Sequence, residues 1–152
     1  MIQAYDVSTN PLNTVEWLFA ATECTHIAAL ALSIGTIAMV DMSLLGVGIR
    51  GRTPAQMVRA TEPWTAAGLT IVIGAGLALF SSDPLRYYYS PTFRIKMWLL
   101  LAGIVFHYTL HRKVAVTGSA PVIARVTGSI SLCIWLGVVF CGLFFAFTAG
   151  GY

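Results

Sequence analysis

Four long apolar runs divide the chain, separated by short polar stretches. They extend from about Val15 to Leu45, from Trp64 to Phe80, from Phe93 to about Leu110, and from about Val122 to Phe147. A helix needs about 20 mostly apolar residues to cross a bilayer core, so the pattern predicts four spans. Turn and cap residues separate them. "GVGIRGRTP" follows the first, and Thr53-Pro54 can cap a short surface helix through Ala60. Glu62-Pro63 opens the second span, because proline is tolerated in a helix's first turn. "SSDPLRYYYSP" joins the second to the third, and "TGSAP" precedes the fourth. Short loops make sequential helices antiparallel neighbours. The expected fold is all-α, an integral membrane four-helix bundle running up-down-up-down, as one domain over residues 1–152. Gly68, Gly74, Gly76, Gly103, Gly137 and Gly142 would let its helices approach closely.

Composition agrees with the pattern. The chain is 57% hydrophobic and 10% charged, with mean hydropathy +0.78. Soluble domains carry roughly 25% charged residues, so the bilayer is the expected surroundings. A net charge of +3 gives no nucleic-acid footprint. The basic residues flank apolar runs instead and set direction. Arg50, Arg52, Arg59, Arg112, Lys113 and Arg125 fall in or near the 1–2 and 3–4 connections, against Arg86, Arg94 and Lys96 on the other side. Six against three favours the first side as cytoplasmic. Both termini would then be periplasmic, in a bacterial inner membrane. "MIQAYDVSTN" lacks the basic start of a secretory leader, so none is expected. Cys24, Cys133 and Cys141 lie in apolar runs without CxxC spacing and are expected to be buried thiols.

Ionisable groups inside spans are costly and mark candidate function. His26 lies eleven residues beyond Val15, about 16 Å along a helix. His107 lies thirteen residues beyond Arg94, about 20 Å from the same side. Both fall near the middle of a core about 30 Å thick. They occupy the first and third spans, which are diagonal and parallel in such a bundle. That arrangement suits a b-type haem with His26 and His107 as axial ligands of its iron. Thr22, one turn before His26, could bond its other ring nitrogen through its backbone carbonyl or hydroxyl, and Gly103, one turn before His107, could leave room for a porphyrin edge. His111 is a rival ligand one turn further on, beside Arg112 and Lys113, where an interfacial role also suits it. The plainer alternative is a pair of histidines bonded across the bundle.

Lys96 precedes His107 by eleven residues and lies about 20° from it around the helix. Lys96 and Arg94 could face Glu23 or the haem propionates, or snorkel to the interface. Asp41 could cap the end of its helix near "LLGVG", pair with Arg50, Arg59 or Arg112, or serve a proton path or quinone site. Tyr87, Tyr88 and Tyr89, with Trp98, suit an aromatic interface belt, or else a quinone pocket or a docking surface for a periplasmic partner.

The blocks "THIAALALSIGTIAMVDMSLLG", "EPWTAAGLTIVIGAGLALF" and "LRYYYSPTFRIKMWLLLAGIVFHYTLH" resemble an uncharacterised bacterial family of small four-span membrane proteins, from about Trp17 to Phe147. More distantly the layout is similar to the HemJ-type protoporphyrinogen oxidases. That resemblance implies haem b, with His26 as the early histidine and Lys96 as the lysine opening a later span. It also resembles the copper-resistance protein D family, but without methionine-rich segments between the spans.

The expected function is electron transfer between quinone and a periplasmic redox partner through bis-histidine haem. The chain would act with other membrane or periplasmic subunits or as a homo-oligomer. The alternatives are a HemJ-like porphyrin oxidase, a non-redox accessory subunit and a copper carrier.

Overall fold

The computed structural model describes residues 6–47 and 51–149. Every regular element among them is helical. Four long helices run up and down: α1 (Glu16–Leu44), α2 (Pro54–Ser82), α3 (Pro91–Thr117) and α4 (Pro121–Ala149). Each is long and apolar enough to span a membrane. Large apolar side chains such as Ile27, Leu77, Trp98 and Phe140 are exposed around the outside, as a lipid solvent requires. One end of the bundle carries the two ends of the described chain and the 83–90 connection; we call it the termini end. The other carries most of the arginines; we call it the basic end.

The helix boundaries differ from the sequence pattern in two places. The short surface helix expected from Thr53 and the span expected from Pro63 are one continuous helix, α2. Its start is fixed at Thr53, whose hydroxyl accepts from the Gln56 N–H at 3.3 Å while the Gln56 side chain accepts from the Thr53 N–H at 2.9 Å. Pro63 then removes only the bond to the Arg59 carbonyl, at a residue exposed at the basic end. The second difference is in α3, which runs past Leu110 through a wider π turn at His107–His111. It ends at Thr117, where Gly118 takes φ +64°, a left-handed conformation suited to glycine.

At the termini end, the segment before α1 closes α2. Asn10 and Asn13 donate their side-chain amides to the Ser81 and Ser82 carbonyls, each at 2.8 Å. Those carbonyls lie in the last turn of α2 and lack helical partners.

α1 packs on α2 along its length, and α3 packs on α4 in the same way. The two hairpins join where α1 meets α4. Their close approaches need small residues. A Cβ on Gly68 of α2 would collide with the Ser33 hydroxyl of α1, and one on Gly128 of α4 would lie 3.1 Å from the Asp41 carbonyl. The Thr36 and Thr65 hydroxyls then meet at 2.8 Å across the α1–α2 seam. One apolar core, of Val40, Leu44, Met57, Val58, Val114 and Ala115, lies toward the basic end. A second, of Ile37, Leu69, Trp135 and Val138, fills the middle. The backbone of α2 meets α3 at its last segment, Arg112–Thr117, but scarcely approaches the stretch Pro91–Phe106.

Candidate functional site

Two polar clusters lie inside the bundle, one in each half. In the basic half, His111 Nε2 lies 2.6 Å from Asp41 Oδ1, and the Ser131 hydroxyl donates to Asp41 Oδ2 at 3.0 Å. All three side chains are fully buried. The cluster therefore ties α1, α3 and α4 together through one carboxylate. The His107 ring stacks on the His111 ring with centroids 5.0 Å apart. Nδ1 of each ring, and Nε1 of nearby Trp135, are buried with no hydrogen-bond partner among the described residues.

This arrangement corrects three expectations. Asp41 does not pair with Arg59 or Arg112: Arg112 binds Glu62 at 2.7 Å, and Arg59 is exposed. Arg50, the third candidate, lies outside the described residues. His111 does not lie on the bundle's surface, because its partner Asp41 draws it into the interior. Gly103 does not leave space for a porphyrin edge. A Cβ there would sit 3.2 Å from Ile134 and 3.3 Å from the Trp135 ring, so its smallness serves α3–α4 packing.

In the termini half, His26 Nδ1 lies 3.0 Å from the Val72 carbonyl oxygen of α2. Its ring faces Gly76, where an added Cβ would come within 3.2 Å of Cε1. Neither the carbonyl nor the hydroxyl of Thr22 serves His26, since the donating ring nitrogen is bonded to Val72 and the hydroxyl donates to the Leu18 carbonyl at 2.8 Å. Lys96 lies within electrostatic reach of His26. Its Nζ runs beside Gly142 of α4, where a Cβ would be 3.4 Å away. Lys96 forms no ion pair among the described residues, with Glu23 or with any other carboxylate. Glu23 and Arg94 are both exposed. The expected buried thiols also differ: Cys24 and Cys133 are exposed on the bundle's surface, and Cys141 is half-buried within reach of Lys96.

The helix register decides which of these groups can meet. The Asp41–His111 bond fixes one common level for α1 and α3. From it, His26 lies fifteen residues along α1 and Lys96 fifteen residues along α3, in the same direction and about 22 Å away in each case. His107 lies only four residues from that level, about 6 Å. His26 and His107 are thus about 16 Å apart along the bundle. Two imidazoles on one metal ion, each bound at about 2 Å, need their nitrogens about 4 Å apart. The residues do not fit a bis-histidine haem across His26 and His107. They bring His26 together with Lys96, and His107 together with His111 and Asp41.

Above the His26–Lys96 level, aromatic rings close the termini end. Phe80 stacks on Phe93 at 5.8 Å, and Tyr87 packs on Phe145 at 4.9 Å. Burial raises the Tyr87 phenol above its usual range, and the nearby Glu23 carboxylate adds to this. Tyr88 and Tyr89 are exposed, as a belt would have them. Among the described residues, no cluster of three or more His, Cys, Asp or Glu side chains is arranged to hold a metal ion. His26 offers one ring nitrogen, Nε2, to a ligand. The Nδ1 bond to Val72 fixes the tautomer and leaves Nε2 as the lone-pair nitrogen.

The spacing of the two polar pairs was open to sequence reasoning, since both span fifteen residues on parallel helices. Ser131, Val72 and Trp135 carried no such signal. A serine in an apolar run and a backbone carbonyl acquire roles only through packing.

The fold and its two interior clusters define a polytopic α-helical membrane protein with ionisable groups held at two depths. Residues 14–148 match the model of a family of unknown function, DUF6644, and the chain belongs to that family. No curated protein and no solved structure matches it.

Proposed function

We propose that this chain is a haem-b-binding electron-transfer subunit of a bacterial inner membrane, with the haem held at the level of His26 and Lys96. The observation that carries the reading is the His26 geometry: Nδ1 is bonded to the Val72 carbonyl, and the ring lies against a glycine. A ligating histidine needs a second-shell acceptor of this kind. Lys96, without an ion-pair partner at the same level, is suited to a propionate carboxylate. A bound haem would supply one-electron transfer. The chain's own residues would ligate it, fix its orientation and neutralise its carboxylates. His107 would have no part in ligation. The basic end would face the cytoplasm, because Arg52, Arg59, Arg112, Lys113 and Arg125 lie there, against Arg86, Arg94 and Lys96 in the termini half.

The test is the absorbance spectrum of protein purified in detergent, oxidised and then reduced with dithionite. We expect a Soret band with the single broad visible band of reduced haem held by one histidine, lost in His26→Ala and kept in His107→Ala. A colourless wild type, purified from cells supplied with haem, would overturn the reading. Loss of colour in both variants would restore His107 to the ligand set and overturn the single-histidine site.

Lys96 beside His26 also favours a second reading, a HemJ-like porphyrin oxidation in which Lys96 holds a propionate of the substrate. Oxidation of protoporphyrinogen by the purified protein, with a quinone as acceptor, would favour it over simple electron transfer.

A further inference from the structure

At the basic end a cleft of about 370 Å³ opens between α2 and the last turns of α3. Its charged walls are Arg59 and Glu62 on one side and Arg112 and Lys113 on the other. Arg112 is committed to Glu62, with Nε at 2.7 Å and Nη2 at 3.2 Å from its two carboxylate oxygens. Arg59 and Lys113 have no ion-pair partner among the described residues. Three cations against one carboxylate leave a formal charge of +2 at the cleft.

The depth of these groups is informative. Lys113 lies four residues from the helix end at Thr117, about 6 Å, and Arg59 lies five residues from the helix start at Pro54, about 8 Å. Tyr108, at the deep end, is nine residues from Thr117, about 14 Å. The three cations therefore sit at headgroup depth, while the cleft continues past Glu62 to the level of the hydrocarbon. Tyr108 is exposed at this deep end, on the outside of the bundle. A water-soluble anion would use the charged rim alone. A phospholipid would use the rim for its phosphate and the deeper wall for the start of its acyl chain.

We propose that this cleft binds the phosphate of an anionic phospholipid. Arg59 and Lys113 contact the phosphate, and Glu62 positions Arg112 as the edge of the site. Basic pockets between membrane helices recognise headgroups in this way. The proposal does not depend on the haem.

The test is native mass spectrometry of the full chain, titrated with dioleoylphosphatidylglycerol or with dioleoylphosphatidylcholine. We expect phosphatidylglycerol to bind more tightly, with a preference that falls about fivefold for each of Arg59→Gln and Lys113→Gln. Arg125→Gln, a basic-end change away from the cleft, keeps the preference. Glu62→Gln should strengthen phosphatidylglycerol binding by raising the charge to about +3, a gain that misfolding cannot imitate. Equal binding of the two lipids would overturn the proposal, and so would a preference unchanged in the Arg59→Gln/Lys113→Gln protein. Displacement of the bound lipid by millimolar inorganic phosphate, at equal lipid affinities, would reassign the cleft to a soluble anion and overturn its lipid source.

Discussion

Asp41 and His111 share a bundle with His26 and Lys96, fifteen residues away along each helix, yet their neighbours treat the two pairs differently. In the basic half the carboxylate, the imidazole and the Ser131 hydroxyl are fully buried and bonded to one another. In the termini half, His26 is half-buried with one ring nitrogen bonded, and Lys96 has no ion-pair partner among the described residues. Polar groups that answer each other hold helices together. The basic half also keeps unbonded nitrogens, on His107, His111 and Trp135, but its carboxylate is bonded on both oxygens, whereas the termini-half cation is paired with no carboxylate among the described residues. Burial alone does not separate these cases; the partners do.

The largest expected effect tests the closed half. Asp41→Ala strands His111 and Ser131 in the interior, and breaking a buried pair costs about 3–5 kcal/mol. Thermal unfolding in detergent should show this as a large fall in Tm. His26→Ala removes one hydrogen bond from a half-buried ring and should cost about 1 kcal/mol. Equal losses from the two substitutions would erase the distinction between the clusters.

Next in size is the seam that sets the register of both. Gly68 lies against Ser33 and 3.0 Å from the Ala29 carbonyl oxygen, measured from an added Cβ. Gly68→Val should therefore force α1 and α2 apart and cost about 1–3 kcal/mol. Gly35→Ala is the control, since a Cβ there meets nothing within 4 Å. Because Gly68 and Val72 share a helix, separation at the seam should also release His26. Unfolding and the haem spectrum, measured together on Gly68→Val, should both move.

The architecture was legible because lipid imposes a coarse rule: four apolar runs become four spans. The interior clusters were only half legible. His26, Lys96, His107, His111 and Asp41 all stand out as ionisable residues in apolar runs. Their pairing depends on how far each helix slides past the next, and end-counting from Val15 and Arg94 misjudged that slide. The helix starts at Glu16 and Pro91 are not level relative to the groups that meet. The equal spacing from Asp41 to His26 and from His111 to Lys96 is a better ruler, because it needs only one anchoring bond. The π turn at His107–His111 has no sequence mark.

A smaller effect probes the open half without touching its ionisable groups. Gly76→Ala places a methyl 3.2 Å from His26 Cε1, tighter than ordinary contact. The ring must tilt, while the fold should lose no more than about 1 kcal/mol. Haem retained on purification should fall, with Tm almost unchanged. Full retention would mean that the His26 ring orientation does not matter to the site.

The smallest effect on stability carries the sharpest contrast. A lysine without an anionic partner inside an apolar bundle is a cost to the fold, reduced where its chain reaches toward the interface. Lys96→Met keeps the side chain as far as Cε beside Gly142 and removes the charge. Stability should hold or rise by up to about 1 kcal/mol, a fraction of the cost of a charge at mid-membrane. Haem retention should fall, since the cation that would face a propionate is gone. A group that weakens the fold while present and weakens binding when removed is kept for its ligand. If Lys96→Met instead lowered stability as far as Asp41→Ala does, the lysine would have a structural partner of its own. The two halves would then be alike, and the place for a ligand would have to be sought elsewhere in the bundle.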